Sequence, residues 1–258
     1  MTTTETPLLA VHGLTRRFGG VTAVDDVSFA VAPGTVRAII GPNGAGKTTL
    51  LDLMTGFTAP DAGRVEFAGR DITGIRPHRL PALGLARTFQ SARLVGTLTV
   101  RQNVMLGGYR FTRARFLSDG LRLPRTRKEE RGLARRADEL LDFLELGGFA
   151  DTLAGDLPAG AQRLVEVARG LAGGPTLLLL DEPAAGLDDT ETSELAAALR
   201  AVCAGGISLV VIEHNIELVM TVSDRVTVLD AGRVIADDVP QKVQADPAVI
   251  EAYLGAKP

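Results

Sequence analysis

Along the chain, the spacing of apolar residues shifts between a period of two and a period near 3.6, and the shifts mark where strands give way to helices. Val27, Phe29 and Val31 alternate with Ser28 and Ala30, the pattern of a half-buried strand. Ala32-Pro33-Gly34 supplies a turn, and Val36 to Ile40 reads as a largely apolar strand running into a glycine-rich loop. Arg64 to Phe67 reads as another short strand, ended by a turn at Ala68-Gly69. From about Leu98 to Ala168 the pattern becomes mostly helical. Leu133, Ala137, Leu140, Leu141 and Leu144 form one apolar stripe, and Gly147-Gly148 is expected to close that helix. Gly107 to Arg127, with several glycines and Pro124, is expected to be irregular or only partly helical.

Strands then return. Thr176 to Leu180 reads as a buried apolar strand ending in Asp181-Glu182, and Ile207 to Ile212 as another buried strand. Between them, Asp189 to Val202 carries Leu195, Leu199 and Val202 at helical spacing. Arg225 to Leu229 and Arg233 to Ala236 predict a hairpin over Asp230-Ala231-Gly232. Asp246 is expected to cap a last helix that has Pro247 at its first position. Strands alternating with helices imply an α/β core with a parallel sheet, and the helical middle reads as an insertion into it.

Composition narrows the class without naming it. The chain has 258 residues, 45% hydrophobic and 23% charged, enough apolar material for a substantial core. Cys203 is the single cysteine, so no disulfide can form within the chain, which fits a reducing compartment. Met1 to Pro7 carries no charged segment ahead of an apolar stretch, unlike a secretory signal. The longest apolar runs fall far short of the ~20 residues that span a bilayer, so the chain is expected to be soluble by itself. Its mean hydropathy of +0.16 leaves room for a surface buried against a partner. The net charge is −3, yet Arg101 to Arg136 holds eleven Lys/Arg against three Asp/Glu. That segment reads first as a solvated helical face, and second as a contact for acidic lipid headgroups or an acidic partner. Nucleic acid is not expected, because no aromatic residues interleave at a stacking spacing.

The chemistry is concentrated in Gly41-Pro42-Asn43-Gly44-Ala45-Gly46-Lys47-Thr48-Thr49, which matches the phosphate-binding loop pattern in full. Glycines let the backbone curl until successive N–H groups point inward as an anion nest. The following helix adds its positive N-terminal end. Lys47 brings a point charge to the terminal phosphates, and the Thr48 hydroxyl is a hard oxygen ligand suited to Mg²⁺. A glycine-rich turn without function would fit the letters alone. The predicted strand before the loop and the predicted helix after it supply the context that a phosphate loop requires.

Leu177 to Leu180 followed by Asp181-Glu182 is the second element. Ligands bind at the carboxyl ends of strands in open α/β sheets, so this position suits metal and nucleotide chemistry. Asp181 suits the Mg²⁺ shell. Glu182, pointing the other way from a continuing strand, suits polarising a water aimed at the γ-phosphate.

With these two elements in place, the chain resembles the ATP-binding subunits of ABC transporters over nearly its whole length. Gln90, in Arg87-Thr88-Phe89-Gln90, matches the family's glutamine loop, which senses Mg²⁺ and faces the membrane subunit. Ala185-Gly186-Leu187-Asp188 matches the D-loop. His214, in Val211-Ile212-Glu213-His214, matches the switch histidine that contacts the γ-phosphate. Phe18, in Arg17-Phe18-Gly19-Gly20, matches the aromatic residue that stacks on adenine. The signature loop departs from the usual Leu-Ser-Gly-Gly-Gln. It reads Leu157-Pro158-Ala159-Gly160-Ala161, keeping Leu157 and Gly160 but losing the serine hydroxyl, and Pro158 also lacks an N–H.

The resemblance implies a P-loop NTPase (RecA-like) core with a parallel sheet, an N-terminal antiparallel β subdomain and an inserted α-helical subdomain. Residues 1–97 and 169–258 would form the core, and 98–168 the insertion carrying the signature loop. It implies ATP and Mg²⁺ at the site, with Glu182, His214 and Gln90 as catalytic groups and Thr48, Gln90 and Asp181 at the metal. Phe18, Asn43 to Thr49, Leu157, Gly160 and Asp188 would contact nucleotide, the last three on the partner's nucleotide. It further implies a second ATP-binding subunit, either the same chain or a homologue, membrane permease subunits, a separate substrate-binding protein, and a place on the cytoplasmic face of the cell membrane.

Asp181 to Leu187, Ile212-Glu213-His214-Asn215 with Leu218-Val219-Met220, and Ala252-Tyr253-Leu254-Gly255 are similar to the branched-chain amino-acid importer group. Urea, amide and lipopolysaccharide systems share much of this pattern. An iron–sulfur-assembly ATPase of the same family is a further alternative. A GTPase would need an Asn-Lys-x-Asp motif, and none of Asn43, Asn103 and Asn215 precedes a lysine.

Overall fold

The protein's structure, a computed structural model, describes residues 6–88, 94–109 and 124–255. Two sheets answer the two hydrophobic patterns. The alternating segments build an antiparallel sheet of β1 (Leu9–Phe18), β2 (Val21–Val31), β4 (Ala62–Phe67) and β5 (Arg70–Asp71), in the order β2-β1-β4-β5. The continuous apolar runs build a second sheet from β3 (Val36–Ile40), β6 (Leu85–Arg87), β7 (Leu177–Asp181), β8 (Ser208–Ile212), β9 (Arg225–Asp230) and β10 (Arg233–Asp238), ordered β10-β9-β3-β8-β7-β6. Its neighbours run parallel except for the β9–β10 hairpin.

A parallel sheet covered on both faces has no solvent side, so its strands lose the polar alternation. Leu178, Leu180, Leu209 and Val211 face one buried cluster, while Leu177, Leu179, Val210 and Ile212 face another. Burying each such side chain stabilises the fold by roughly 1.5–3 kcal/mol, so both faces hold the sheet. The second cluster lies between the two sheets and includes Leu50, Leu51 and Met54 of α1 (Lys47–Met54).

The first cluster joins the sheet to helices. These include α3 (Val100–Gly108), α4 (Pro124–Phe143), α5 (Ala159–Ala172) and α6 (Asp189–Ala204), which follow the short α2 (Leu80–Leu83). A Cβ on Gly107 would lie 1.8 Å from the Arg169 carbonyl oxygen, so α3 and α5 meet backbone to backbone. The chain ends with α7 (Ile216–Val222), α8 (Pro240–Gln244) and α9 (Pro247–Gly255). Pro247 opens α9, and Asp246 Oδ1 accepts the Ala248 N–H at 2.9 Å, as expected of its cap.

The expected closure of α4 at Gly147-Gly148 is not what occurs. The helix stops at Phe143, Glu145 takes a left-handed φ of 59°, and Gly147 begins a single 3₁₀ turn. Turning early places both Leu144 and Leu146 in the core, which a continued helix could not do. Among the described residues no helix is long and apolar enough to cross a membrane. Much of the basic segment, residues 110–123, lies outside the described residues. Of the rest, Arg101 pairs with Asp138 and Asp151, while Lys128, Arg131 and Arg135 face solvent.

Candidate functional site

Parallel strands share one direction, so the residues that follow β3, β7 and β8 emerge at a single edge. The register makes this concrete: Ile39 pairs with Ile212, and Ile212 pairs with Asp181. The loop after Ile40, the carboxylates at 181–182 and the turn at 213–215 therefore lie side by side at the carboxyl ends of adjacent strands.

Torsion and space both demand glycine in the loop. Gly41 has φ 152°, and a Cβ there would lie 2.1 Å from the Leu229 carbonyl oxygen. Gly46 has φ 96°, and its Cβ would lie 2.2 Å from the Ala23 carbonyl oxygen. The loop is thus seated between β9 and the start of β2. The turn after β9 supports it, since Gly232 N–H donates to the Ala45 carbonyl at 3.1 Å. Ala45 is buried, while Asn43, Gly44 and Thr48 face solvent and Thr49 is half-buried.

Gly46 is the N-cap of α1. No side chain caps this end and no acidic residue occupies its first turn. Its N–H groups and positive dipole are left for an external anion. Lys47 is only 7% exposed, and its ammonium folds back to donate to the carbonyls of Gly41 at 2.7 Å and Pro42 at 2.9 Å. Burial lowers its pKa below the ordinary lysine value, and Glu182 and Asp181 act against that shift. A lysine flanked by carboxylates across a phosphate-shaped loop is an arrangement for a triphosphate and a cation together.

Asp181, only 5% exposed, accepts from Arg87 Nη2 at 3.1 Å. Arg87 also donates to Asp52 Oδ1 at 2.6 Å and Thr55 Oγ1 at 3.0 Å. Burial raises the Asp181 pKa, and Arg87 opposes the rise. Glu182 departs from the sequence reasoning in one respect. The strand ends at Asp181, and Glu182 has a left-handed φ of 47°, so strand alternation does not set its direction. A non-glycine residue held there costs of order 1 kcal/mol or more, and its N–H bond to the Ile212 carbonyl at 2.9 Å helps to hold it. His214 follows β8 with its side chain 59% exposed, and Asn215 Oδ1 caps α7 by accepting the Leu218 N–H at 3.0 Å.

Phe18 ends β1 at the tip of the β1–β2 hairpin and is 48% exposed. Arg16 covers it at 4.8 Å from the ring centroid. Gln90 lies outside the described residues. Leu157 is buried in the helical layer's core, so its side chain serves packing. Gly160 and Asp188 are brought together with each other rather than with the phosphate loop. Gly160 N–H donates to Glu191 Oε1 at 2.8 Å, and Asp188 N–H donates to Glu191 Oε2 at 3.3 Å. Pro158, the N-cap of α5, contributes no side-chain bond.

Sequence reasoning missed Glu191 and the pairing role of Arg87. Asp188 to Glu191 has capping-box spacing, which is a usable sequence signal. Arg87 gave none, because its partners Asp52 and Asp181 are distant in the chain.

Residues 24–185 match the family model of ABC transporters, and residues 233–257 match that of the branched-chain amino acid ATP-binding cassette transporter. The chain is 39% identical to the high-affinity branched-chain amino acid transport ATP-binding protein BraF of Pseudomonas aeruginosa, over 96% of this chain and 98% of that protein. It is 37% identical to the corresponding protein LivG of Escherichia coli K12, with coverage of 96% and 98%. Among solved structures, the ADP conformation of an ATP-binding cassette of an ABC transporter superposes with a TM-score of 0.85. That match has 34% identity and covers 97% of this chain and 99% of that one.

Proposed function

The chain belongs to the ABC transporter family as an ATP-binding and ATP-hydrolysing subunit, and from that membership we propose that it powers a membrane importer of branched-chain or related amino acids. The observation that carries the mechanism is the register that aligns Gly41 to Thr49, Asp181-Glu182 and His214 at one sheet edge. The cargo assignment is supported by the carboxyl-terminal match at residues 233–257 and by the relatives' transport of branched-chain amino acids.

ATP lies along the loop, its phosphates on the N–H groups at the start of α1 and on Lys47. Phe18 offers its ring to the base. The donor set fits Mg²⁺: an exposed Thr48 hydroxyl and the Asp181 carboxylate are the hard oxygens that ion prefers. Gln90 joins them. When bound, Mg²⁺ neutralises charge on the phosphates. Glu182 orients and accepts a proton from the attacking water, and His214 contacts the γ-phosphate.

A second ATP-binding subunit closes over this nucleotide, and its own nucleotide meets Asp188 and the segment from Leu157 to Gly160 of this chain, which the buried Leu157 side chain anchors in the core. The Pro158 substitution weakens the half-site that this chain offers, and a partner of different sequence offsets it. We divide the chain into a core of 1–97 and 169–258 and a helical insertion of 98–168. The insertion and the Gln90 loop face permease subunits, which places the chain peripherally on the cytoplasmic side of the membrane beside a separate substrate-binding protein. No nucleic acid is involved.

Co-expression with candidate permeases tests the reading. A stable complex in which branched-chain amino-acid uptake requires this chain supports it, and uptake unaffected by deleting the chain refutes it.

A further inference from the structure

Glu213 is the residue before His214, is fully buried, and has no part in the roles assigned so far. Its two carboxylate oxygens serve different segments. Oε1 accepts the Ala184 N–H at 2.7 Å, two residues beyond Glu182. Oε2 accepts the N–H groups of His214 at 2.9 Å and Asn215 at 3.1 Å. The Glu213 N–H itself donates to the Ile39 carbonyl at 3.3 Å, on the strand that leads into the phosphate loop. One side chain therefore spans the turn after β7 and the turn after β8, and its backbone is held by β3.

A buried carboxylate is costly unless its oxygens are satisfied. Here three backbone N–H groups satisfy it, and charge-assisted bonds of this kind are the stronger class. If one turn moved without the other, a carboxylate oxygen would be left buried and unbonded. The two turns are thus bound to move together. The exposed His214 side chain and the Glu182 carboxylate ride on those turns.

We propose that Glu213 is a positioning residue that couples the His214 turn to the Glu182 turn, so that both groups meet the γ-phosphate and its attacking water in register. The inference rests on the assignments of Glu182 and His214 made above. Glu213 touches neither the nucleotide nor the attacking water in it, and its Oε2 lies 3.7 Å from His214 Nδ1. Glutamine at this position keeps the length but replaces one acceptor oxygen with an NH₂ donor, which cannot face the N–H groups on its side.

The test is steady-state ATP hydrolysis by Glu213→Gln in the full chain, with its partner subunits where turnover requires them. Misplacing a reacting group by about 1 Å costs on the order of 100-fold. We expect kcat to fall at least about 10-fold, with KM for ATP changed less than about 3-fold. We also expect Glu213→Gln to lower kcat further when added to His214→Ala, because the Glu182 turn is still released, but by less than it does in the parent, because its effect through His214 is already gone. A folded Glu213→Gln protein with the kcat of the parent overturns the proposal, as does a loss confined to KM. Should the variant not fold, native-state hydrogen exchange of the unmodified chain decides. Amides of Ala184, His214 and Asn215 opening together support the coupling, and Ala184 opening independently overturns it. Parent-level turnover in both Glu182→Gln and His214→Ala overturns the underlying site assignment instead, a result the exchange data would not produce.

Discussion

Replacing Arg87 by methionine removes the buried cation that faces Asp181. Arg87 and Asp181 side chains are 9% and 5% exposed, so water cannot take over the lost interaction. Breaking a buried ion pair from one side costs about 3–5 kcal/mol, because the remaining charge is stranded. Asp52, the other carboxylate partner, is 32% exposed and can be hydrated, so its share is small. The lower end, about 3 kcal/mol, is therefore expected. For a chain of this size that is a drop of about 6–12 °C in Tm. The assay is thermal and urea unfolding, without nucleotide and in chelator. The sign with pH follows from the direction of the Asp181 shift. Burial raises its folded pKa, so ionisation destabilises the folded state, and stability is lost as pH rises from the ordinary carboxylate range through the raised value. Without Arg87 that rise is larger, so the penalty of Arg87→Met deepens from acid toward neutral pH. Adding Asp181→Asn to Arg87→Met removes the stranded charge and should restore at least half of the loss. A change below about 1 kcal/mol at neutral pH, or a double variant less stable than Arg87→Met, refutes the reasoning.

Lys47→Ala should abolish triphosphate binding or turnover, read by fluorescent-nucleotide titration and phosphate release, because α1 then offers its N-terminus without the ammonium that the loop itself supplies. Glu182→Gln should retain ATP binding and accumulate a closed dimer on gel filtration with ATP; hydrolysis at the parent rate would show that Glu182 is not the base. Pro158→Ser should raise ATPase activity by returning a hydroxyl to the N-cap of α5, where a serine cap is also worth about 1 kcal/mol of helix stability; an unchanged rate would remove the argument for a weakened half-site.

Much of the site was legible in the residues before any coordinates. Gly41 to Thr49 is contiguous, and a contiguous motif needs only local backbone geometry. The glycines at 41 and 46 are explained by their own torsions, although the carbonyls they avoid, those of Leu229 and Ala23, belong to distant strands. The apolar stretches at 177–180 and 209–212 announced buried strands, and the sheet they form is covered on both faces. The end of α4 was less legible. Gly147-Gly148 had the right chemistry for a helix stop, yet burial of Leu144 and Leu146 placed the turn at Glu145.

What the sequence determined by itself was local: the phosphate loop, the apolar strands, and the family whose motifs appear in order. What only the tertiary structure decided was which distant groups share a charge or a hydrogen bond. Arg87 with Asp52 and Asp181, Glu213 with Ala184, and Glu191 with Gly160 are pairings across strands and helices. The physical reason is that a buried carboxylate must find donors wherever the packed chain brings them, and that choice is made by the fold rather than by spacing along the chain.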